Sequence, residues 1–340
     1  MTKTQVVLVL IVVCLSVSGA TAQVNAPSGE IVEHSECWKD QYTSYEQYVT
    51  ARKARYTVET EAARAEGFQR DYLTDIAKRI YSKEDFQQRN AFAGFQCTRV
   101  KYMSDGLKVI GIIWKPKDTA GKKLPLVIYN RGGNREFSKL NFISNYSLYP
   151  FLQNGFVVIG TQYRGNDGGE GKDEFGGADI NDVMNLVPLA KSLGYVDMNN
   201  VFMLGDSRGG METYLALKNK IPVNAAAVRG AISDLTPQRR EAMEKNYKEM
   251  IPDYERRSLE LLKDRSAVYW ADKMNAPLLI LQGGADWRTD PASTLSLAQK
   301  LQEHGKTYEL IVYAGDEHGL SLNRADADKR IVEWFKKYMK

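Results

Sequence analysis

A serine flanked two residues away on each side by glycine, Gly205-Asp206-Ser207-Arg208-Gly209, follows directly on the apolar run Val201-Phe202-Met203-Leu204. A strand entering a sharp turn and a helix leaving it would present the Ser207 hydroxyl at the rim of a sheet. That hydroxyl becomes a useful nucleophile only when a base takes its proton. The chain has three histidines, so the base can be sought by elimination. His34 lies in a polar N-terminal stretch. His304 precedes Gly305, where a helix ends and a histidine commonly caps the last turn. His318 sits in Gly315-Asp316-Glu317-His318-Gly319, just past an apolar run at 308–313, and is the candidate base.

An acid must hold the imidazole in one tautomer and stabilise its cation. Asp286 follows the run 277–281 in Gln282-Gly283-Gly284-Ala285-Asp286 and is the preferred candidate. Asp234, after the run 225–232, competes with it. Asp290 reads as a helix cap, and Asp316 is too close in sequence to orient His318. Two donors are needed for a developing oxyanion. One is the backbone N–H of Arg208. The other belongs to the Gly-rich segment Asn130-Arg131-Gly132-Gly133-Asn134, which follows the run 124–129.

These residues need a scaffold. Residues 95–103 and 108–115 are strand-like and joined by Ser104-Asp105-Gly106, a hairpin signal. Strands then alternate with helices. The strands are expected at 124–129, 155–160, 201–204, 225–232, 277–281 and 308–313. The helices are expected at 176–193, 209–218, 236–264, 291–304 and 324–339. Short apolar strands separated by helices imply a mostly parallel sheet buried on both faces. Chemistry in such sheets sits in loops at the carboxyl ends of the strands, where Ser207, Asp286 and His318 all fall. The chain order Ser, Asp, His is the one the α/β-hydrolase fold uses.

At these residues the chain resembles the catalytic domain of the prolyl oligopeptidase family of serine peptidases. The run from Gly205 to Gly210 resembles the family's nucleophile motif. Tyr163-Arg164-Gly165 with Gly168-Gly169-Glu170-Gly171 resembles its Tyr-Arg-Gly loop, which implies substrate contact for Tyr163 and Arg164. The run from Gln282 to Asp286 resembles its acid motif and favours Asp286 over Asp234. Glu317-His318-Gly319 resembles its histidine loop. The match covers roughly residues 95–340. Gln282 stands where the family usually has histidine, and Arg131 where it often has Tyr or His. Residues 23–94 are too few and too helical for the β-propeller of many members.

The first 22 residues read as an export leader. Lys3 precedes the apolar stretch 6–17, and Ala20-Thr21-Ala22 supplies a small-residue cleavage site, so the mature chain is expected to begin at Gln23. The stretch is shorter than the roughly 20 residues a bilayer needs, and no stable membrane insertion is expected after its removal. The expected destination is periplasmic or secreted. Export permits a disulfide, and Cys37 and Cys97 remain after cleavage; a bridge and two separate thiols are both compatible with the sequence. Residues 23–36 read as a polar linker. Residues 38–82 read as helices, with Trp38, Tyr42, Tyr45 and Val49 on one packing face. Residues 236–264 are expected to form a charged helical insert capping the site.

The chain has 340 residues, 43% of them hydrophobic, and a formal charge of +4. This suits one large domain, or one domain plus an appendage. The basic pairs Arg239-Arg240 and Arg256-Arg257 stand beside glutamates and read as solvated helix surface, so no nucleic-acid partner is expected. Three scattered histidines leave no zinc spacing, and no metal or cofactor is expected. The sequence thus points to an exported serine hydrolase that cleaves peptide bonds through an acyl-enzyme. The alternatives are an acyl esterase using the same triad on a small acyl substrate, and a binding protein on a hydrolase scaffold.

Overall fold

The computed structural model describes residues 27–39, 41–237 and 241–340. The leader at 1–22, its cleavage site, and Arg239 and Arg240 lie outside them. In chain order the elements are β1 (Ile31–Glu36), α1 (Tyr45–Ala65), α2 (Ile76–Arg79), α3 (Lys83–Ala91), β2 (Phe95–Ser104), β3 (Leu107–Pro116), β4 (Leu124–Asn130), α4 (Asn145–Gln153) and β5 (Val157–Thr161). There follow α5 (Ile180–Met184), α6 (Leu186–Ser192), β6 (Val196–Asp206), α7 (Arg208–Lys218), β7 (Ala225–Arg229), α8 (Glu241–Met250), α9 (Tyr254–Asp264), β8 (Leu278–Gly283), α10 (Pro291–Glu303), β9 (Tyr308–Tyr313) and α11 (Arg324–Lys337).

The strands form one sheet in the order β1-β2-β3-β5-β4-β6-β7-β8-β9. From β5 to β9 every neighbouring pair is parallel; β1, β2 and β3 extend the sheet antiparallel at the other edge. Side chains alternate across a strand with a period of two. Val201 and Met203 of β6 therefore join one core and Phe202 and Leu204 the other. Helices α5, α6, α7, α8, α9 and α10 contribute to the first core, while α4 and α11 close the second. In the second core Phe335 of α11 stacks on Phe202 at a centroid separation of 4.9 Å. This two-sided burial is the architecture expected of an α/β-hydrolase, and it brings the ends of β6, β7, β8 and β9 to one edge.

The hairpin forms where its turn residues stand. Asp105 and Gly106 both have positive φ, 52° and 77°, matching the twist of the flanking strands. Elsewhere the expected boundaries need correction. Residues 31–36 are not linker but β1, paired to β2 along its length, so His34 lies on a strand. Its mostly exposed side chains hide the strand signal, because an edge strand with one face in water shows no apolar run.

The helices expected at 38–82 form as α1 and α2, over a shorter helical stretch. Trp38 precedes it and is 81% exposed, while α1 begins only at Tyr45, where the Ser44 hydroxyl accepts the Gln47 N–H. Tyr42, Tyr45 and Val49 do pack, against Tyr48, Phe86 and Tyr146. Gly67 at φ 84° turns the chain after α1, and α3 extends past the expected end. The helices expected at 176–193 and 236–264 are each two, the second pair separated where Asp253 adopts a left-handed conformation. No helix among the described residues is long and apolar enough to cross a membrane.

Cys37 and Cys97 are disulfide-bonded, with Cα atoms 5.4 Å apart, and the bridge closes a loop across 60 positions. Restricting the unfolded chain in this way contributes roughly 4 kcal/mol in the chain-entropy model. Alkylation of the denatured, unreduced protein should therefore leave both cysteines unlabelled, and reduction should lower the unfolding free energy by an amount of that order. Two labelled thiols would refute the bridge.

Candidate active site

Strand β6 delivers the chain to Ser207, and α7 begins one residue later. Ser207 has φ 58° and ψ −120°, a strained conformation for a non-glycine residue. Backbone bonds hold it there. Its N–H donates to the Arg229 carbonyl at 2.9 Å, and its carbonyl accepts the Gly210 N–H at 2.9 Å. The glycines are required by close approach. A Cβ on Gly205 would strike the Gly209 carbonyl, and one on Gly209 would strike the Asn130 carbonyl. The residues on either side of the serine are anchored. Asp206 accepts Arg229 Nε at 2.7 Å and the Tyr129 hydroxyl at 2.7 Å. Burial pushes the Asp206 carboxyl up, but the Arg229 guanidinium outweighs it and holds the group below its usual range.

The other two candidates meet at the same edge. His318 Nδ1 lies 2.8 Å from Asp286 Oδ2, leaving Nε2 as the nitrogen available for proton transfer. Both side chains border Gly230, at the end of β7. A Cβ there would stand 3.1 Å from His318 Nδ1 and 3.3 Å from Asp286 Oδ2, and the preceding Arg229 carbonyl holds the Ser207 N–H. Asp286 is 5% exposed and fully hydrogen-bonded. Its Oδ1 accepts the N–H groups of Arg288 at 2.8 Å and Thr289 at 3.0 Å. Its Oδ2 accepts the Thr289 hydroxyl at 2.6 Å and Gln282 Nε2 at 3.0 Å. Burial raises its pKa, yet the His318 charge and the bonds from His318 and Thr289 together hold it below the ordinary carboxylate value.

Asp234 makes no such pairing; its Oδ1 accepts the Thr236 N–H and hydroxyl. Asp290 caps α10 through the Ala292 N–H, and His304 ends that helix. Gln282 and Thr289 are site residues that motif reading missed. Gln282 was visible only as a departure from histidine, and its use is clear once Thr294 is seen to fix its amide by donating to Oε1 at 3.1 Å.

The segment Arg131-Gly132-Gly133 runs beside the serine. A Cβ on Gly132 would lie 3.0 Å from the Asp206 carbonyl oxygen and 3.1 Å from Ser207 Cβ, so a side chain there would crowd the serine turn. Gly133 has φ 73°. The Arg131 guanidinium turns away, donating to the carbonyls of Gly132, Arg135, Phe137 and Gln162, and so stiffens the loop from inside. The Arg208 N–H opens α7, where first-turn amides lack helical partners. The Arg208 side chain is buried. It forks onto Asp173 at 2.6 and 2.8 Å, bonds Asp179 at 2.8 Å, and lies over the Tyr163 and Phe175 rings. Burial raises the Asp173 carboxyl, but Arg208 more than compensates and brings it to about 2.

Two expectations are corrected here. Tyr163 is fully buried, with its hydroxyl donating to the Arg131 carbonyl at 2.9 Å. Arg164 is buried against Asp182, with Nη2 at 2.7 Å, and also bonds Asp105. Both brace the loops from behind, and neither lines the cavity beside Asp286. A charged residue in a glycine-rich loop resembles a ligand contact in sequence, and the buried carboxylate that claims Arg164 is invisible there.

That cavity holds roughly 470 Å³. Its apolar walls include Ile232 and Leu235 after β7, Met243 and Tyr247 of α8, Trp287 of the acid loop, and Phe68 from the turn after α1. Among the described residues no group of His, Cys, Asp or Glu could hold a metal ion.

The prolyl oligopeptidase family model matches residues 142–340, more than half of the chain. The uncharacterized peptidase YtmA of Bacillus subtilis is 27% identical over 242 residues, covering 70% of this chain and 91% of its own. Acylamino-acid-releasing enzyme 2 of Oryza sativa subsp. japonica is 27% identical over 265 residues, again 70% of this chain but only 33% of that enzyme. The chain therefore spans about a third of the length of the rice relative. A solved acylaminoacyl peptidase of Pyrococcus horikoshii superposes with a TM-score of 0.66 at 20% identity, covering 77% of this chain and 44% of that one, and shares the fold. On the strength of the family match, the chain belongs to the prolyl oligopeptidase family and is a serine peptidase.

Proposed function

We propose that Ser207, His318 and Asp286 form the catalytic triad of a peptidase working through an acyl-enzyme. The observation that carries this reading is the 2.8 Å pairing of His318 Nδ1 with a buried, ionised Asp286, on the sheet edge where the strained Ser207 emerges. Ser207 Oγ attacks the scissile carbonyl while His318 Nε2 takes its proton. The oxyanion is received by the Arg208 N–H and by an N–H of the 131–133 loop, where Gly132 lies against Ser207. As the tetrahedral intermediate collapses, the amine leaves with the proton from His318. Water then repeats the sequence and releases the acid.

The substrate is proposed to be a peptide or acylated amino acid. The family match supports this, as do the activities for which its relatives are named. The cavity lies within the range of small-ligand pockets, and α8 supplies part of its wall, which supports the insert as a substrate-shaping cap. Export is part of the same proposal, supported by the leader-like residues 1–22 and by a disulfide that suits an oxidising compartment.

A fluorophosphonate probe should label the wild-type protein and leave Ser207→Ala unlabelled. His318→Ala and Asp286→Asn should each lower turnover by about 10⁴; a mild effect of Asp286→Asn with a severe one for Asp234→Asn would move the acid to Asp234. Peptidyl amides should be cleaved in preference to simple acyl esters; the reverse ranking would make the enzyme an esterase. Met243→Trp should raise KM for substrates with bulky acyl groups and leave a small activated ester nearly unaffected.

The depressed pKa of Asp286 sets a sign for the pH profile. A carboxylate whose folded pKa lies below its unfolded value contributes fully above the unfolded value, near 3.9, and is lost only as pH falls through the folded one. Asp286 should therefore add no ionisation to kcat/KM between about pH 5 and 8. A second carboxylate-like step in that window would contradict the assignment. Mass analysis of exported protein should find Gln23 at the mature N-terminus.

A further inference from the structure

The helices at residues 45–91 precede every residue of the proposed chemistry, yet they are fastened to the two loops that carry the acid and the base. On α1, Glu59 receives the Arg288 guanidinium in a fork. Its Oε1 accepts Nε at 2.6 Å and its Oε2 accepts Nη2. The backbone N–H of that same Arg288 donates to Asp286 Oδ1 at 2.8 Å. Between them Trp287 is buried among Tyr56, Ala63 and Tyr72 of the helical segment. On α2, Arg79 donates to the carboxylate of Glu317, the residue before His318, and to Ser321 Oγ at 3.2 Å. It also stands 4.0 Å from Asp316, and its guanidinium lies over the Tyr72 ring. The side chains of Arg79 and Glu317 are 7% and 4% exposed, and that of Glu59 is 15% exposed. The loops are joined to each other as well, by the Ala285 N–H donating to the Asp316 carbonyl at 2.9 Å.

Among the described residues these are the only ion pairs between residues 45–91 and the rest of the chain. Each ends within two positions of a proposed triad member. A tie serving only to hold the helices could end anywhere on the domain. Burial makes the Arg79–Glu317 pair geometrically demanding, because a charge taken out of water must be matched by an opposite charge at hydrogen-bond distance. The Glu59–Arg288 fork is partly exposed, with the Arg288 side chain at 26%, and its two-point geometry sets the direction of the guanidinium. The matched position of Glu59 fixes the Arg288 peptide on Asp286, and that of Arg79 fixes the peptide that leads into His318.

We propose that Glu59 and Arg79 are positioning residues for the reaction, holding the acid and histidine loops where the Asp286–His318 pair can serve Ser207. This rests on the triad reading given above. Misplacing reacting groups by about 1 Å can cost on the order of 10²-fold in rate, so the ties should act on rate rather than on affinity.

The test is inactivation of the full chain by a fluorophosphonate, resolved into the first-order constant kinact and the binding constant KI, with thermal unfolding followed on the same samples. Glu59→Gln and Arg79→Met should each lower kinact at least tenfold and leave KI within about twofold. Asp71→Asn, which removes the partner of the exposed Arg64 in the same segment, should leave both constants unchanged. The reversed pair Glu59→Arg with Arg288→Glu should recover most of what Glu59→Gln loses. Folded Glu59→Gln and Arg79→Met proteins that react at the wild-type rate would overturn the proposal, whatever their melting temperatures. If the single variants unfold, the reversed pair decides: folded and fast supports it, folded and slow overturns it. A wild-type protein that never labels would instead overturn the Ser207 assignment itself, so the two failures are distinguishable.

Discussion

The backbone of Ser207 is the constraint on which the rest of the site depends. A non-glycine residue in this region of φ/ψ space costs on the order of 1–3 kcal/mol and persists only where its surroundings over-determine it. Here they do so from both sides. Asp206 is drawn toward Arg229 and Tyr129, while Arg208 is drawn into the carboxylates of Asp173 and Asp179. The peptide between them is stretched over the end of the sheet, with glycines removing the atoms that would block the crossing of β4 and α7. Buried ion pairs of this kind are weak sources of net stability. What they supply here is a single geometry, because a charge sealed from water tolerates few alternative positions.

The same device recurs around the site. Asp286 is held by two peptide N–H groups, a hydroxyl and an amide in addition to the imidazole. Asp316 accepts the N–H groups of Glu317, Leu322 and Asn323, which folds the loop carrying His318 into a compact turn. Arg229 links β7 both to Asp206 and, at 2.6 Å, to Asp328 of α11. The end of β6 and helix α11 are thereby joined through β7 by polar bonds beside the serine.

Much of this was legible in the sequence, and the reasons differ by element. The parallel strands could be read because burial on both faces demands continuous apolar runs, as in Ala225–Arg229 and Leu278–Gly283. Ser207 and His318 could be read because few arrangements serve a serine and only three histidines were available. The edge strand Ile31–Glu36 could not, because its side chains are mostly wet and its order comes from the partner strand. Tyr163 and Arg164 were misplaced for a related reason: what decides an arginine's role is the carboxylate it meets, and Asp182 is distant along the chain. The ties from Glu59 and Arg79 span more than two hundred positions, and no local pattern marks them.

The disulfide has a consequence beyond its effect on the unfolded chain. Cys37 and Cys97 lie on either side of all three helices at 45–91, so both ends of that segment are secured to the sheet. A single cut by a foreign protease anywhere between the two cysteines would leave two covalently joined pieces. Glu59 and Arg79 would then remain on strands of chain still fastened at one end, and the severed loop could close again without the parts diffusing away.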